Sequence, residues 1–227
     1  MSARAFLLPP FFDYSATFLW AVSGAVLGAR RGYAILGVIT LALVSSTGGG
    51  LLRDGLFIQD GPPVLVRTPI YLWLIAAAVL AVVMFGRRVV QMPRLFKGIV
   101  LIDALGLGAY AVVGMDRALA AGISLPGVVV VGMVNAVGGG ILRDVLLNVE
   151  PDMFLPGTLD QASALIGCLL FLGLTQGLPV TQFAAAWITI ALVFIIRLLA
   201  IGFRIESHPL PGFKAYWGRV DNGRDAR

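Results

Sequence analysis

Arg53 and Asp54 close one long apolar stretch of this chain, and Arg143 and Asp144 close another. Each pair follows three glycines. Gly48-Gly49-Gly50-Leu51-Leu52-Arg53-Asp54 recurs as Gly138-Gly139-Gly140-Ile141-Leu142-Arg143-Asp144, ninety residues later. Three consecutive glycines weaken a helix, and an Arg-Asp pair one turn further on is costly near lipid. The chemistry such a defect offers is ion passage. Backbone carbonyls freed at a weakened helix can replace the water around a cation, and carboxylates at a mouth draw cations towards it. Irregular backbone at membrane depth persists only where it is buried in protein or lines a wet cavity. Ser45, Ser46 and Thr47 precede the first triplet and Asn135 precedes the second, so these polar groups are expected to face the same path.

The repetition extends beyond the motif. At the same offset Asp13 matches Asp103, Gly24 matches Gly114, Gly32 matches Gly122 and Gly37-Val38 matches Gly127-Val128. From residue 13 to 54 no gap is needed, and 14 of 42 positions are identical. Apolar matches count for little in so apolar a chain; the glycines and the three charged matches make the case for an internal duplication. Interrupted segments in corresponding places of two halves point to a translocation site.

Charge and hydropathy set the elements that must carry these residues. Of 227 residues 59% are hydrophobic and only 13% charged, with a mean hydropathy of +0.92. A soluble domain carries about 25% charged residues. Apolar blocks of about 20 residues are long enough to cross a bilayer. The expected fold is therefore an all-α integral membrane protein, with a single transmembrane domain over residues 1–203. Seven helices are expected. Repeat one covers about 11–86, repeat two about 98–176, and an unmatched seventh helix about 180–203. Residues 204–227 form a basic cytoplasmic tail.

Arginine and lysine placement orients the chain. Arg30-Arg31, Arg87-Arg88, Arg94, Lys97 and the tail's Arg204, Lys214 and Arg219 fall on one side, which is read as the cytoplasm. The N-terminus then lies outside and the C-terminus inside. Three spans per repeat invert the second copy relative to the first. Arg53 and Asp54 thus approach the outer mouth, and Arg143 and Asp144 the inner one. Adjacent residues on a helix point about 100° apart, so each arginine is open equally to a cross-repeat partner, a freed carbonyl or its neighbouring aspartate. Asp13 and Asp103 admit two readings, mouth charges that attract cations or interface residues paired with arginines.

Other classes have little support. The net charge of +5 reflects arginines at loop ends, so no nucleic-acid partner is implied. One cysteine, Cys168, permits neither an intrachain disulfide nor a cysteine metal site, and no cofactor is expected beyond a permeating cation. No nucleophile stands beside a base, which argues against an enzyme. Glycine triplets also serve close helix packing in membranes, and that structural role stands beside the transport one.

Seven spans, inverted three-helix repeats and a Gly-Gly-Gly-x-Leu-Arg-Asp motif in spans two and five resemble the prokaryotic trimeric intracellular cation (TRIC) channels. The resemblance covers nearly the whole chain. It implies a homotrimer in a bacterial or archaeal plasma membrane, with an hourglass pore in each protomer that passes monovalent cations, chiefly K+ and also Na+. It further implies that spans two and five kink at Gly48, Gly49, Gly50 and at Gly138, Gly139, Gly140, and line the pore with Arg53, Asp54, Arg143 and Asp144. Bacterial relatives have also been described as transporters of small amino acids, glycine in particular, so a secondary transporter is the alternative.

Overall fold

The computed structural model describes the backbone of residues 9–90, 94–151 and 159–203, all of it helix and connecting turn. The expected tail at 204–227, with Arg204, Lys214 and Arg219, lies outside the described residues, as do the side chains of Arg87, Arg88, Arg94 and Lys97.

Long helices occupy the seven stretches read as spans. They are α1 (Phe11–Arg30), α2 (Ile35–Leu52), α4 (Ile70–Val90), α5 (Arg94–Ala120), α6 (Leu125–Leu146), α7 (Asp160–Gly177) and α8 (Gln182–Phe203), with a short α3 (Val64–Arg67). Among the described residues, three segments are apolar and long enough to cross a membrane by themselves: Ile35–Ile58, Leu125–Leu146 and Gln182–Phe203. Outward faces are apolar, with Leu72, Trp73, Val83, Met84 and Phe85 of α4 and Ile195, Leu199 and Phe203 of α8 exposed. In water such a surface would be a severe liability; against lipid tails it costs nothing.

Each half builds its own core. Ala21, Ala25 and Val26 of α1 pack with Val38 and Ala42 of α2 and with Ile75, Ala78, Val79 and Val82 of α4. The second core joins α5, α6, α7 and α8, and takes Phe12, Ala16 and Trp20 from α1. Matching turns close matching helices. Gly32 (φ +72°) and Gly122 (φ +74°) stand just past the ends of α1 and α5. There Tyr33 N–H reaches Gly28 O and Ile123 N–H reaches Ala118 O, both at 3.1 Å. This left-handed cap satisfies carbonyls the helix would otherwise leave open, and glycine adopts it at least cost. Gly32 therefore ends its helix.

The halves meet where α2 crosses α6, and the contacts are reciprocal. A Cβ built on Gly48 would lie 3.2 Å from Gly139 Cα, and one on Gly138 would lie 3.1 Å from Gly49 Cα. Gly49 abuts the carbonyl of Asn135, and Gly139 abuts the carbonyl of Ser45, the residue ninety positions before Asn135. As one index rises the other falls, so the helices cross antiparallel.

This crossing corrects one expectation. The triplets do not interrupt their helices: α2 and α6 run through them, and none of the six glycines has positive φ. The reason is packing. With no Cβ on either side, two backbones can touch while each keeps its own hydrogen-bond ladder. The irregular backbone comes later and only in the first copy, as π-helical turns over Arg53–Ile58, closed by Gln59 N–H on Asp54 O at 2.9 Å.

Candidate functional site

Arg53 is 3% exposed, deep between the helices. Its Nε donates to Asp54 Oδ1 at 2.7 Å and its Nη1 to Asn135 Oδ1 at 3.2 Å. Asn135 Nδ2 in turn donates to Tyr110 O at 2.6 Å. One chain of hydrogen bonds thus ties the end of α2 to α6 and α5. A charge buried this way is tolerable only because its donors are met; removing one partner of such a pair costs about 3–5 kcal/mol. The pairing of neighbours is present in both copies, on π-helical backbone at Arg53 and on plain α-helix at Arg143, whose Nε donates to Asp144 Oδ1 at 2.9 Å. A long arginine side chain folds back far enough to meet its neighbour.

The two copies differ in what else the arginine touches. Arg143 Nη1 also donates to Asp103 Oδ2 at 3.4 Å, and Ser23 Oγ donates to Asp103 Oδ1 at 3.2 Å. Asp13, the counterpart of Asp103, is held elsewhere. It accepts from Tyr71 Oη at 2.6 Å and from Arg117 Nη2 at 3.3 Å. Both aspartates are thus paired with arginines, on opposite sides of the crossing.

Between Asp13 and Arg53 lies a narrow cleft of about 20 Å³, room for about one water molecule. Asp13, Thr17, Ser46, Thr47, Arg53 and Tyr110 are among its walls, with Leu51 and Leu65. Asp54 and Val64 are shared with a wider vestibule of about 540 Å³, which Asp60, Arg67 and Arg117 also line. Backbone N–H of Val64 donates to Asp54 Oδ2 at 3.0 Å, so α3 fixes the carboxylate at the junction of the two spaces. Of the polar residues before the triplets, Ser46 and Thr47 line this cleft. Ser45 and Asn135, expected to face the path, are 1% exposed and sit between helices, Ser45 against Gly24 and Asn135 against Gly114. The small residue on the neighbouring helix takes them out of the cleft.

Thr17, Tyr71, Tyr110 and Arg117 belong to this site and carry no motif. A trace of them is legible: Tyr110 stands ninety residues after Trp20, and the two rings pack with centroids 5.0 Å apart. An aromatic exchange scores as no identity, so the duplication hides the pair. Among the described residues no group of three or more His, Cys, Asp or Glu is placed to hold a metal ion.

The fold defines an all-α integral membrane protein of the TRIC-channel kind. It is similar to a TRIC channel orthologue from Rhodobacter sphaeroides, with a TM-score of 0.78, 26% identity, and coverage of 85% of this chain and 96% of that one. A second structure, solved to explain conductance through TRIC cation channels, gives a TM-score of 0.77 at 28% identity, covering 88% and 95%.

By sequence the chain belongs to the family described as "Glycine transporter", whose pattern matches residues 10–87 and again residues 100–176. The same unit is matched twice, at the offset of the two motifs. The chain is 27% identical to the inner membrane protein YadS of Escherichia coli K12 over 207 residues, 91% of this chain and 97% of that protein. It is 37% identical to a membrane protein of Deinococcus radiodurans over 141 residues, which span 62% of this chain and 64% of that protein.

Proposed function

We propose that this protein is a monovalent cation channel, permeable to K+, with its path inside the protomer alongside α2 and α6. The observation that carries the reading is the cleft that reaches from the Asp54 vestibule past Asp13 to the buried Arg53, in a fold shared with TRIC cation channels. Hydroxyls, carboxylates and an arginine gathered on one space between apolar helices are more than packing requires. Polar groups inside a membrane domain mark ion and substrate routes.

In this reading the protein has seven spans, two inverted repeats and an unmatched α8. The reciprocal contacts of α2 and α6 are what an axis in the membrane plane would give. Asp54 stands at the outer mouth and Asp144 at the inner one, with the N-terminus outside and the C-terminus in the cytoplasm of a bacterial or archaeal cell. Three copies form the channel, as in the trimeric orthologue from Rhodobacter sphaeroides, each with its own pore.

The family's description favours a second reading, secondary transport of glycine. Purified protein in liposomes separates the two. A channel releases K+ down its gradient at rates that do not depend on glycine. A transporter shows saturable uptake of labelled glycine coupled to an ion gradient, and that result would replace the channel reading.

A further inference from the structure

The hydroxyls that line the cleft have all committed their protons. Ser46 Oγ donates to Ala42 O at 2.7 Å, Thr47 Oγ1 to Leu43 O at 2.7 Å, and Tyr71 Oη to Asp13 Oδ2 at 2.6 Å. Tyr110 has a single proton, and the Ser46 carbonyl, at 2.5 Å, takes it. The 3.1 Å contact between Tyr110 Oη and Thr17 Oγ1 is then made with the proton of Thr17. What these five residues turn to the space between them is oxygen lone pairs. Arg53 also lines the cleft, with its Nε and Nη1 taken by Asp54 and Asn135. The hydroxyl and carboxylate oxygens around it suit a cation that has shed part of its water.

The second repeat lacks this lining. Ninety residues on, Thr17 becomes Leu107, Ser46 becomes Ala136 and Thr47 becomes Val137; ninety residues back, Tyr110 becomes Trp20. Trp20, Leu107 and Ala136 belong to the second hydrophobic core, and Val137 packs against it. At this end Arg143 bridges Asp103 and Asp144. The duplication has kept its charges and exchanged its hydroxyls.

We infer that the Asp13–Thr17–Ser46–Thr47–Tyr110 cleft is a dwell site for one partly dehydrated monovalent cation, built by the first repeat alone. The inference rests on the channel reading and names where in the path the ion pauses. A monovalent ion is favoured over a divalent one because both carboxylates are already paired, Asp13 with Arg117 and Asp54 with Arg53. Divalent cations take several carboxylate oxygens. Tyr110 hangs over the site from α5 and fixes its floor through the Ser46 carbonyl.

The test gives the first repeat the residues of the second. Ser46→Ala, Thr47→Val and their double variant are purified at full length and recorded in planar bilayers over a range of K+ concentrations. The half-saturating K+ concentration should rise by about three- to tenfold per hydroxyl removed, the weight of one oxygen contact. The reverse exchange, Val137→Thr, should leave it unchanged. Should the double variant fail to assemble, Thr47→Val is read alone, since it keeps the side-chain shape. Variants that conduct with wild-type half-saturation overturn the dwell site and leave the channel standing. If wild type passes no current the channel reading falls, and crystals grown in Rb+ decide the site separately. An anomalous peak between Asp13 and Thr47 supports it, and an empty cleft overturns it.

Discussion

Arg53 reaches across the duplication to Asn135, Nη1 to Oδ1 at 3.2 Å, and so ties the end of α2 to the middle of α6. Asn135 passes the connection to Tyr110 on α5, whose hydroxyl returns to Ser46 on α2. This closed circuit lies beneath the cleft and beside the glycine crossing. It gives the floor of the path a fixed shape.

Removing Asn135 should therefore cost more than an ordinary polar deletion. Asn135→Leu leaves one guanidinium nitrogen of the buried Arg53 unmet, at about 1–3 kcal/mol, and unties α6 from the Tyr110 carbonyl, which keeps its bond within α5. Arg53→Met should be worse, by about 3–5 kcal/mol, because Asp54 loses its counter-charge in a buried place. Thermal unfolding of the two single variants and the double variant measures the coupling. Additive losses would show that Arg53 and Asn135 do not act together.

The glycines of each triplet should differ among themselves. Alanine at Gly49 or Gly139 drives a methyl into the backbone carbonyl of Asn135 or Ser45, which neither can avoid unless α2 and α6 separate. Overpacking of this kind costs about 1–3 kcal/mol. Alanine at Gly50 or Gly140 meets only the far end of Arg53 or Arg143, at 3.7 and 3.9 Å. There the gain in helix propensity, about 1 kcal/mol, should prevail. Conductance and melting temperature should fall for the first two variants and hold for the second two. Equal behaviour at all four would deny that the crossing sets the glycine requirement.

Much of this was legible in the sequence, and the parts that were not have physical causes. Gly48 to Asp54 and its copy announced the duplication, and the family pattern matches the chain twice at that offset. The α2 triplet read as a break because propensity alone weighs Gly48–Gly50 against solvent, whereas Gly48 and Gly49 lie against Gly139 and Gly138 and the helix is kept. The π turns at Arg53–Ile58 left no trace. They are absent from the matching Arg143–Leu146, where Val145 stands in the place of Gly55. Tyr71 and Arg117 converge on Asp13 from 58 and 104 positions away, a meeting that only the packing of α1, α4 and α5 produces.

The carboxylates at the two ends of the crossing should weigh on conduction as well as folding, since Asp54 and Asp144 are also the counter-charges of Arg53 and Arg143. Asp54→Asn keeps an acceptor for Val64 N–H and the shape of the junction, but removes a charge from the vestibule. Cation conductance should drop, most of all at low salt where screening is weakest. Asp144→Asn should act in the same direction from the other mouth. Wild-type conductance from low to high K+ in both variants would make these carboxylates structural.

Orientation is open to a direct check. Reporters fused after Arg227 should be active on the cytoplasmic side, and reporters before Met1 on the external side. Both ends on one side would remove the odd number of spans and, with it, the inverted arrangement of the halves.

The central claim is that the cleft and crossing conduct cations, and one recording tests it most directly. Purified protein in a planar bilayer, bathed in a tenfold KCl gradient, should give unitary currents that reverse close to the K+ equilibrium potential, about 59 mV from zero. Currents that reverse at the Cl− potential, or a silent bilayer beside liposomes that accumulate glycine, would contradict it.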